Sequence, residues 1–247
     1  MIKMYKIIYL LLAVCLLTSC ETDNNVPFLS IPDDEAQIVE MNVEVRSSSN
    51  LVFSPIIYAS QMIVNWGDGS LPWQFVNRDS TNTGTSTLKP LRYTYPAAGT
   101  YDVNVRAIKI TRLDISMDSV RQNIRTLQLT DCRHLKALSC KNQELKSVNI
   151  NTSGVKMLEL STLSALEELT VSACDSLLTI VLYKNPELKT INLTNNPRMS
   201  ALSLDAVFIQ LPEATSGIRT VNLSNNGGDA SCNTAIATQK GWKVNIQ

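Results

Sequence analysis

The chain has 247 residues, of which 22 are Lys or Arg, 22 are Asp or Glu and one is His, so its formal charge is zero. Binding to nucleic acid phosphates depends on clustered positive charge, which makes this neutral chain a poor candidate for that role. Hydrophobic residues make up 44% of the chain and charged residues 18%, a composition too apolar for a disordered tail. A single His removes most His-based catalytic and metal sites from consideration.

The first twenty residues have the pattern of a bacterial export signal. Lys3 and Lys6 precede an apolar run from Ile7 to Leu17, which is too short to span a bilayer and has the length of a signal-peptide core. The run ends in Leu17-Thr18-Ser19-Cys20, which resembles the lipobox of bacterial lipoproteins. The resemblance implies cleavage before Cys20 and acylation of that residue, palmitate included. An ordinary secretory signal that happens to contain Cys is the alternative.

These features predict a signal peptide over residues 1–19 and a flexible tether over residues 20–36. The tether is polar, contains Pro27 and Pro32 and shows no hydrophobic periodicity, as expected of a linker. We expect a lipid-anchored protein of the bacterial cell envelope, in the outer membrane, with exposure at the cell surface as a further hypothesis.

Residues 37–109 are predicted to form a small β domain. Val39, Met41, Val43 and Val45 alternate with polar residues, which is the period of a half-buried strand. A second predicted strand, near Gln61 to Trp66, runs into a tight Gly-Asp-Gly turn.

Two motifs in this region resemble the PKD-type, immunoglobulin-like β-sandwich. They are Trp66-Gly67-Asp68-Gly69 and the segment Tyr93-Thr-Tyr-Pro-Ala-Ala-Gly-Thr-Tyr101-Asp-Val103. Domains of this family are mostly spacers and binding modules. Asp68 is a candidate calcium ligand, but hard cations need several oxygen donors and no second acidic cluster follows, so we expect Asp68 to shape the turn.

The aromatic residues place the domain boundary, because eleven of the 14 precede Leu113. No linker rich in Gly, Pro or Ser separates the two parts, so we expect them to abut closely, with the β domain capping the open end of the next domain.

Internal repeats dominate residues 110–247. Five segments share the spacing L-x-x-L-x-L, and they start 21, 21, 22 and 30 residues apart, at Ile124, Leu145, Leu166, Leu188 and Ile218. Position nine is Asn or Cys in four of them and Ser153 in the segment that starts at Leu145. A second, shorter set starts between them, at Leu135, Val155, Leu177 and Met199. Positions one, four and six are predicted to point inward, where only stacking of neighbouring turns can bury them.

This pattern resembles the leucine-rich repeat (LRR) of the short, internalin-like kind. The resemblance implies a solenoid with strand-like structure on both sides of each turn. Ser231 to Lys240 is predicted as a short helix and Gly241 to Ile246 as a last strand, together a C-terminal cap. The predicted fold is therefore mainly β, a PKD-like sandwich followed by an LRR solenoid with little helix.

The cysteines of the repeats are expected to be buried thiols. Cys132 and Cys174 occupy the same position two turns apart, so strands spaced about 4.8 Å apart place them about 10 Å apart, beyond the Cα separation of about 7 Å that a disulfide allows. Cys140 occupies an apolar position, and Cys232 lies near the C-terminus. We therefore interpret Cys132, Cys140 and Cys174 as small hydrophobic residues.

The sequence offers no recognisable catalytic, cofactor or metal site. His134 lies at a predicted bend with no second His available, and neither a nucleophile elbow nor a phosphate-binding loop is present. We therefore predict a protein that is not an enzyme and uses no cofactor; a hydrolase with an unrecognised carboxylate pair is an unfavoured alternative.

Two surfaces are candidates for partner binding. The first is formed by the five longer repeats, whose predicted strands we call the main ladder. Their outward positions three, five and seven are uniformly small and polar, which fits either a solvated sheet or a hydrogen-bonding surface. The second is formed by the shorter repeats between them, which direct Met157, Val181 and Tyr183 outward. We predict that this apolar patch contacts a protein. The alternative is that the segment around Phe208 covers the patch. The leading hypothesis is protein recognition or adhesion. The alternative is glycan binding through Trp73, Phe75 or Tyr58.

Overall fold

The computed structural model describes residues 29–46, 52–53, 55–76, 91–116, 122–141 and 144–247. The predicted signal peptide and Cys20 lie outside these residues. Within them the strands are β1 (Gln37–Val45), β2 (Val52–Phe53), β3 (Ile56–Tyr58), β4 (Gln61–Asn65), β5 (Trp73–Val76), β6 (Tyr93–Thr94), β7 (Gly99–Ile108), β8 (Arg112–Asp114), β9 (Gln122–Thr130), β10 (Ala137–Ser139), β11 (Ser147–Asn151), β12 (Met157–Glu159), β13 (Glu168–Ser172), β14 (Thr179–Val181), β15 (Thr190–Thr194), β16 (Arg219–Ser224) and β17 (Trp242–Ile246), and the helices are α1 (Ala201–Gln210) and α2 (Ala235–Thr238).

The fold is mainly β, as predicted, and one ten-stranded sheet runs through it in the order β17-β16-β15-β13-β11-β9-β1-β7-β4-β5. From β9 to β17 all neighbouring strands are parallel and in register, with Val148 opposite Leu127 and Leu169 opposite Val148. From β1 to β5 the neighbouring strands are antiparallel.

Strand β1 joins the two parts of the sheet. It pairs antiparallel with β7 on one side and with β9 on the other, and its register on β9 shifts between Asn42 and Val43. The edge of β9 that would otherwise be open is therefore covered by β1. Residues Ile31–Gln247 form one compact unit.

The inner face of this sheet is a continuous apolar layer. Val39 lies opposite Leu129 on one neighbour and Val105 on the other, and all three are buried. Along the parallel part, the predicted inward triplets are buried from Ile124 to Leu193. Burial of each such side chain contributes roughly 1.5–3 kcal/mol, so the stacking of these rows is the main stabilising term.

Smaller sheets pair the intervening segments. Strands β10, β8 and β3 form one sheet, β12 and β14 a second, and β2 and β6 a third. The predicted strand-like second halves of the turns are confirmed at β10, β12 and β14, where Leu158 and Ile180 are buried and lie opposite each other.

Each turn bends at a residue with left-handed backbone directly after the long strand. Asp131, Thr152, Ala173, Asn195 and Asn225 have φ between 53° and 57°. The bends also bond to one another: the Thr152 N–H donates to the Ser172 carbonyl at 2.9 Å, and the Ala173 N–H donates to the Thr194 carbonyl at 3.0 Å. These stacked hydrogen bonds offset the roughly 1–2 kcal/mol that left-handed backbone costs a residue with a Cβ.

Two predicted inward positions are wrong, because Leu202 is 80% exposed and Ile218 is 84% exposed. The half-turn at Leu202 forms helix α1 rather than a strand. Ser200 begins the helix by accepting a hydrogen bond from the Ser203 N–H at 3.2 Å, and the buried residues Leu204, Val207 and Phe208 follow helical spacing.

Arg219 occupies the buried place that was predicted for Ile218. Its Nη1 donates to the carbonyls of Pro186 at 3.0 Å and Leu188 at 2.9 Å, and its guanidinium lies over the Trp242 ring at 5.8 Å from the centroid. The 30-residue step that precedes β16 therefore changes which side chain enters the interior. The predicted cap is confirmed in outline by α2 and β17.

Asparagines at position nine of the repeats satisfy the backbone inside the bends. Asn196 Oδ1 accepts from the Cys174 N–H at 3.1 Å, and its Nδ2 donates to the Val171 carbonyl at 3.1 Å. Asn226 repeats the second contact one turn later, donating to the Leu193 carbonyl at 2.8 Å. Each asparagine thus bonds its turn to the preceding one.

Replacing Asn196 with Ala should lower the free energy of unfolding by about 2–4 kcal/mol, because the Cys174 N–H and the Val171 carbonyl would lose their buried partners. Asn149, on the outer face of β11, is the matched control, and its replacement with Ala should change stability by less than about 0.5 kcal/mol. Urea unfolding followed by circular dichroism measures both; equal losses would contradict the proposed role of Asn196.

Candidate functional site

One row of polar side chains crosses nine strands of the large sheet on its outer face. Each member lies directly opposite the next in register, so the row passes from the parallel into the antiparallel part without interruption. We name it the central row; it consists of Asn245, Asn222, Asn192, Thr170, Asn149, Gln128, Glu40, Asn104 and Asn65.

Hydrogen bonds between strands hold one end of the central row. Asn245 Nδ2 donates to Asn222 Oδ1 at 2.7 Å, and Asn222 Nδ2 donates to Asn192 Oδ1 at 2.7 Å. Asn192 Nδ2 in turn donates to Thr170 Oγ1 at 3.0 Å. Because these side chains are already ordered, a ligand that bonds to them loses less conformational entropy on binding.

The predicted outward positions of the main ladder are confirmed as half-buried or exposed. These positions are Thr126, Gln128, Thr130, Ser147, Asn149, Asn151, Glu168, Thr170, Ser172, Thr190, Asn192, Thr194, Thr220, Asn222 and Ser224. Strands β1 and β7 continue the same face beyond the positions predicted from the repeats, through Glu40, Asn42, Asp102 and Asn104. Their alternation with buried residues marks them as outward, but only the pairing of β1 with β9 joins them to this surface.

Ion pairs border the face where the strands begin. Arg125 contacts Glu44 and also Glu144, the latter at 3.1 Å, and Arg46 contacts Glu44 at 3.0 Å. The hydrogen bond from Arg46, followed by that from Arg125, lowers the pKa of Glu44. Exposed pairs of this kind contribute little to stability because water and salt screen them, so they affect the charge of the border more than the stability of the fold.

The outer face contains a depression of about 340 Å³. It lies across β7, β1 and β9, beside the register shift of β1, and its lining residues are Glu40, Met41, Asn42, Asp102, Val103, Asn104, Thr126 and Gln128. Asn42 Nδ2 donates to Asp102 Oδ1 at 2.7 Å, and Asn104 Nδ2 donates to Glu40 Oε1 at 3.2 Å. Within the described residues, the other oxygen of each carboxylate forms no hydrogen bond or ion pair.

The predicted apolar patch lies on the smaller sheet of β12 and β14. Met157 is 60% exposed and Tyr183 is 56% exposed, whereas Val181 is half-buried. Met157 lies opposite Thr179 and Glu159 lies opposite Val181, so Met157 and Val181 are diagonal neighbours.

Helix α1 packs beside β14 without covering this patch. The Gln210 side chain accepts from the Leu182 N–H at 2.7 Å and donates to the Ile180 carbonyl at 3.3 Å. Phe208 is buried, so its ring faces the interior rather than Met157 or Tyr183. The alternative in which the segment around Phe208 covers the patch is therefore wrong.

The aromatic residues considered for glycan binding have different surroundings. Trp73 is 40% exposed and stacks against Phe75, with ring centroids 6.1 Å apart. The Arg112 guanidinium lies over the Tyr58 ring at 5.8 Å, which covers one face of that ring. Of the three residues Trp73 is the exposed one, whereas Phe75 and Tyr58 are half-buried.

Asp68 shapes its turn, as predicted. Its Oδ1 accepts from the Ser70 N–H at 3.0 Å and its Oδ2 accepts from the Tyr93 hydroxyl. Although burial acts in the opposite direction, the bonds from Tyr93 and Ser70 lower the pKa of Asp68. Gly67, with φ of 81°, lies against the backbone of Asp102, where a Cβ would be 2.5 Å from the carbonyl oxygen.

His134 lies at a bend, as predicted, and its Nδ1 is hydrogen-bonded to the Gln37 side chain. Among the described residues, no group of three or more His, Cys, Asp or Glu side chains is arranged to hold a metal ion. None of the described helices has the length and apolar character needed to cross a membrane.

Comparisons with known protein families, with curated proteins and with solved structures find no match for this chain.

The four described cysteines are free thiols, which confirms the prediction made for Cys132, Cys140 and Cys174. Burial raises the pKa of Cys132 to about 12 and that of Cys174 to about 11, and it also raises the pKa of Cys232, which is only half-buried. Cys140 is buried like the first two.

Cys232 should therefore react with iodoacetamide at pH 8 well before Cys132 and Cys174, since alkylation requires an accessible thiolate. Peptide mass spectrometry after timed labelling of the folded protein measures the order, and labelling in urea provides the control in which all thiols react. Comparable rates in the folded state would contradict the burial of the two repeat cysteines.

Proposed function

We propose that this chain is a lipoprotein of the bacterial cell envelope, without enzymatic activity, that uses the outer face of its large sheet for protein recognition or adhesion. The observation that carries the proposal is the central row, which presents hydrogen-bonding side chains in one register across nine strands. A flat polar surface of this breadth suits an extended protein partner better than a small molecule, which requires a concave site.

The proposed architecture is a PKD-like β-sandwich over residues 37–109 followed by an LRR solenoid with its cap over residues 110–247. The solenoid interpretation is supported by the parallel strands that recur with the repeats and by the left-handed residue that follows each of them. The sandwich interpretation is supported by the Asp68 turn and by Tyr95, whose buried hydroxyl donates to the Trp66 carbonyl at 3.1 Å.

The proposed lipid anchor gives the recognition surface its location. Acylation of Cys20 would hold the protein at the outer membrane. The spacer between lipid and folded unit would be shorter than the tether predicted over residues 20–36, because the compact unit already begins at Ile31. The order of signal peptide, tether and folded unit therefore favours display outward from a membrane. We propose no role in nucleic acid binding, because the chain has a formal charge of zero.

Replacing Cys20 with Ser should abolish incorporation of an alkyne-labelled fatty acid and release the protein from the membrane fraction. Expression in a bacterium that lipidates its exported proteins, followed by labelling and fractionation, measures both effects. A Cys15→Ser variant is the control, because Cys15 lies within the predicted signal peptide and its replacement should leave labelling unchanged. Continued labelling of the Cys20 variant would refute lipidation at that residue.

Glycan binding is a second candidate, which the exposed Trp73–Phe75 pair favours. Stacked rings at a sheet edge provide an apolar surface for a sugar face, and Trp73 remains 40% exposed in this position. A glycan array, with Trp73→Ala as the variant, separates this function from protein recognition.

The outer face and the apolar patch can be separated as protein-binding surfaces by matched variants. Asn149→Arg combined with Thr170→Arg should abolish capture of protein partners from bacterial and host surface extracts, because two bulky charged side chains would stand at the centre of the face. Val181→Ser combined with Tyr183→Ser tests the patch, and Gln239→Arg on the exposed end of α2 is the control for added charge.

Loss of capture in the first variant alone supports the outer face as the binding surface. Loss in the Val181 and Tyr183 variant alone would assign binding to the patch and contradict the outer-face proposal. Urea unfolding of each variant verifies that the fold is retained.

A further inference from the structure

We infer that the depression at Glu40 and Asp102 receives a basic segment of the protein partner, with an Arg or Lys side chain between the two carboxylates. This inference rests on the proposed function, because it assigns a partner chemistry to one part of the outer face. The expected ligand of the depression is a basic peptide rather than a glycan or a free metal ion.

The charge of the depression favours a cationic ligand. Glu40 and Asp102 are its only charged lining residues, and within the described residues neither forms an ion pair, although Glu44, Glu144 and Glu167 elsewhere each do. The closest cation on the same face of β7, Arg106, is committed elsewhere: it donates to the Ile31 carbonyl at 2.7 Å and pairs with Asp33. The negative charge at this place is therefore uncompensated.

The geometry gives those carboxylates a common ligand position. Glu40 lies opposite Asn104 and Asn42 lies opposite Asp102, so the carboxylates are diagonal neighbours, for which antiparallel strands give a spacing of about 7–8 Å. The bonds from Asn42 and Asn104 fix one oxygen of each carboxylate. The second oxygens can then accept from a planar guanidinium or an ammonium group placed between them.

The register shift of β1 explains why the depression forms here. An irregularity in an antiparallel pair increases the local twist and redirects neighbouring side chains, and the shift between Asn42 and Val43 lies directly at the end of the β1 segment that lines the depression. Its volume of about 340 Å³ lies at the lower end of the range for small-molecule sites, roughly 300–1,000 Å³, so this one concavity in a broad polar surface can hold a single long side chain of a protein partner. The rest of the partner segment would lie across the polar rows.

The test uses the full chain in detergent and a fluorescein-labelled peptide of six Gly-Arg repeats, with fluorescence anisotropy as the measurement. The neutral control peptide carries citrulline, which keeps the shape of Arg without its charge. We expect Glu40→Gln and Asp102→Asn each to weaken binding of the Arg peptide about fivefold, which corresponds to loss of one exposed charge-assisted contact. Glu168→Gln, which removes the same charge elsewhere on the outer face, should change binding less than twofold.

Several outcomes would overturn the inference. Equal binding of the Arg and citrulline peptides would exclude charge recognition, and an equal effect of Glu168→Gln would show attraction to the whole face rather than to the depression. Displacement of the peptide by micromolar Ca²⁺ would assign the carboxylates to a metal ion, and a glycan that requires Glu40 would assign them to sugar binding. If one of the two variants fails to fold, the other decides the result alone.

The same variants distinguish this inference from the proposed function. Partner capture that is lost in Asn149→Arg with Thr170→Arg but kept in Glu40→Gln and Asp102→Asn would preserve the outer face and reject the basic segment. Capture that survives all of these substitutions would reject both.

Discussion

The stacking of apolar side chains between successive strands of one sheet is the interaction on which this fold depends. A single turn of the repeat region cannot bury Leu166, Leu169 and Val171 by itself, because its own chain covers only one side of them. Exact opposition of neighbouring strands places the same side-chain types in contact from turn to turn, and those residues are left with no exposed surface. The outer face is a by-product of this constraint, since a period of two residues sends every intervening side chain outward in equally strict rows.

The mainly β class and the buried positions of the repeats could be predicted from the sequence, because the strands repeat a local pattern. The triplets from Ile124 to Leu193, the bend asparagines and the strand at Val39 follow from spacing alone. The prediction failed at Leu202 and Ile218, where a repeat motif coincides with a different local preference. At Leu202 the Ser200 cap and the spacing of Leu204, Val207 and Phe208 favour a helix. A search for the strand-like spacing of the repeat does not reveal that the same residues also fit a helical spacing.

The candidate surface was only half predictable. The outward residues of the main ladder follow from the repeat, whereas Glu40 and Asp102 join them through pairing between strands far apart in the chain. Strand order of this kind depends on tertiary packing, which no short segment encodes. The cysteines were predictable for the opposite reason: Cys132 and Cys174 hold equivalent places in the repeat, and that equivalence fixes both their separation and their burial.

The position of β1 gives the sheet a particular response to mechanical load. A pull on the chain before Gln37 enters through a strand that is hydrogen-bonded along both of its edges, to β7 and to β9. Two ladders must therefore break together before that strand can be withdrawn, and the Arg106 contacts with Ile31 and Asp33 resist the pull still earlier in the chain. If the molecule is held at its N-terminus and pulled by flow or by an attached partner, the tension reaches β1, which is paired on both edges. The load is therefore not applied to a strand at a free edge of the sheet.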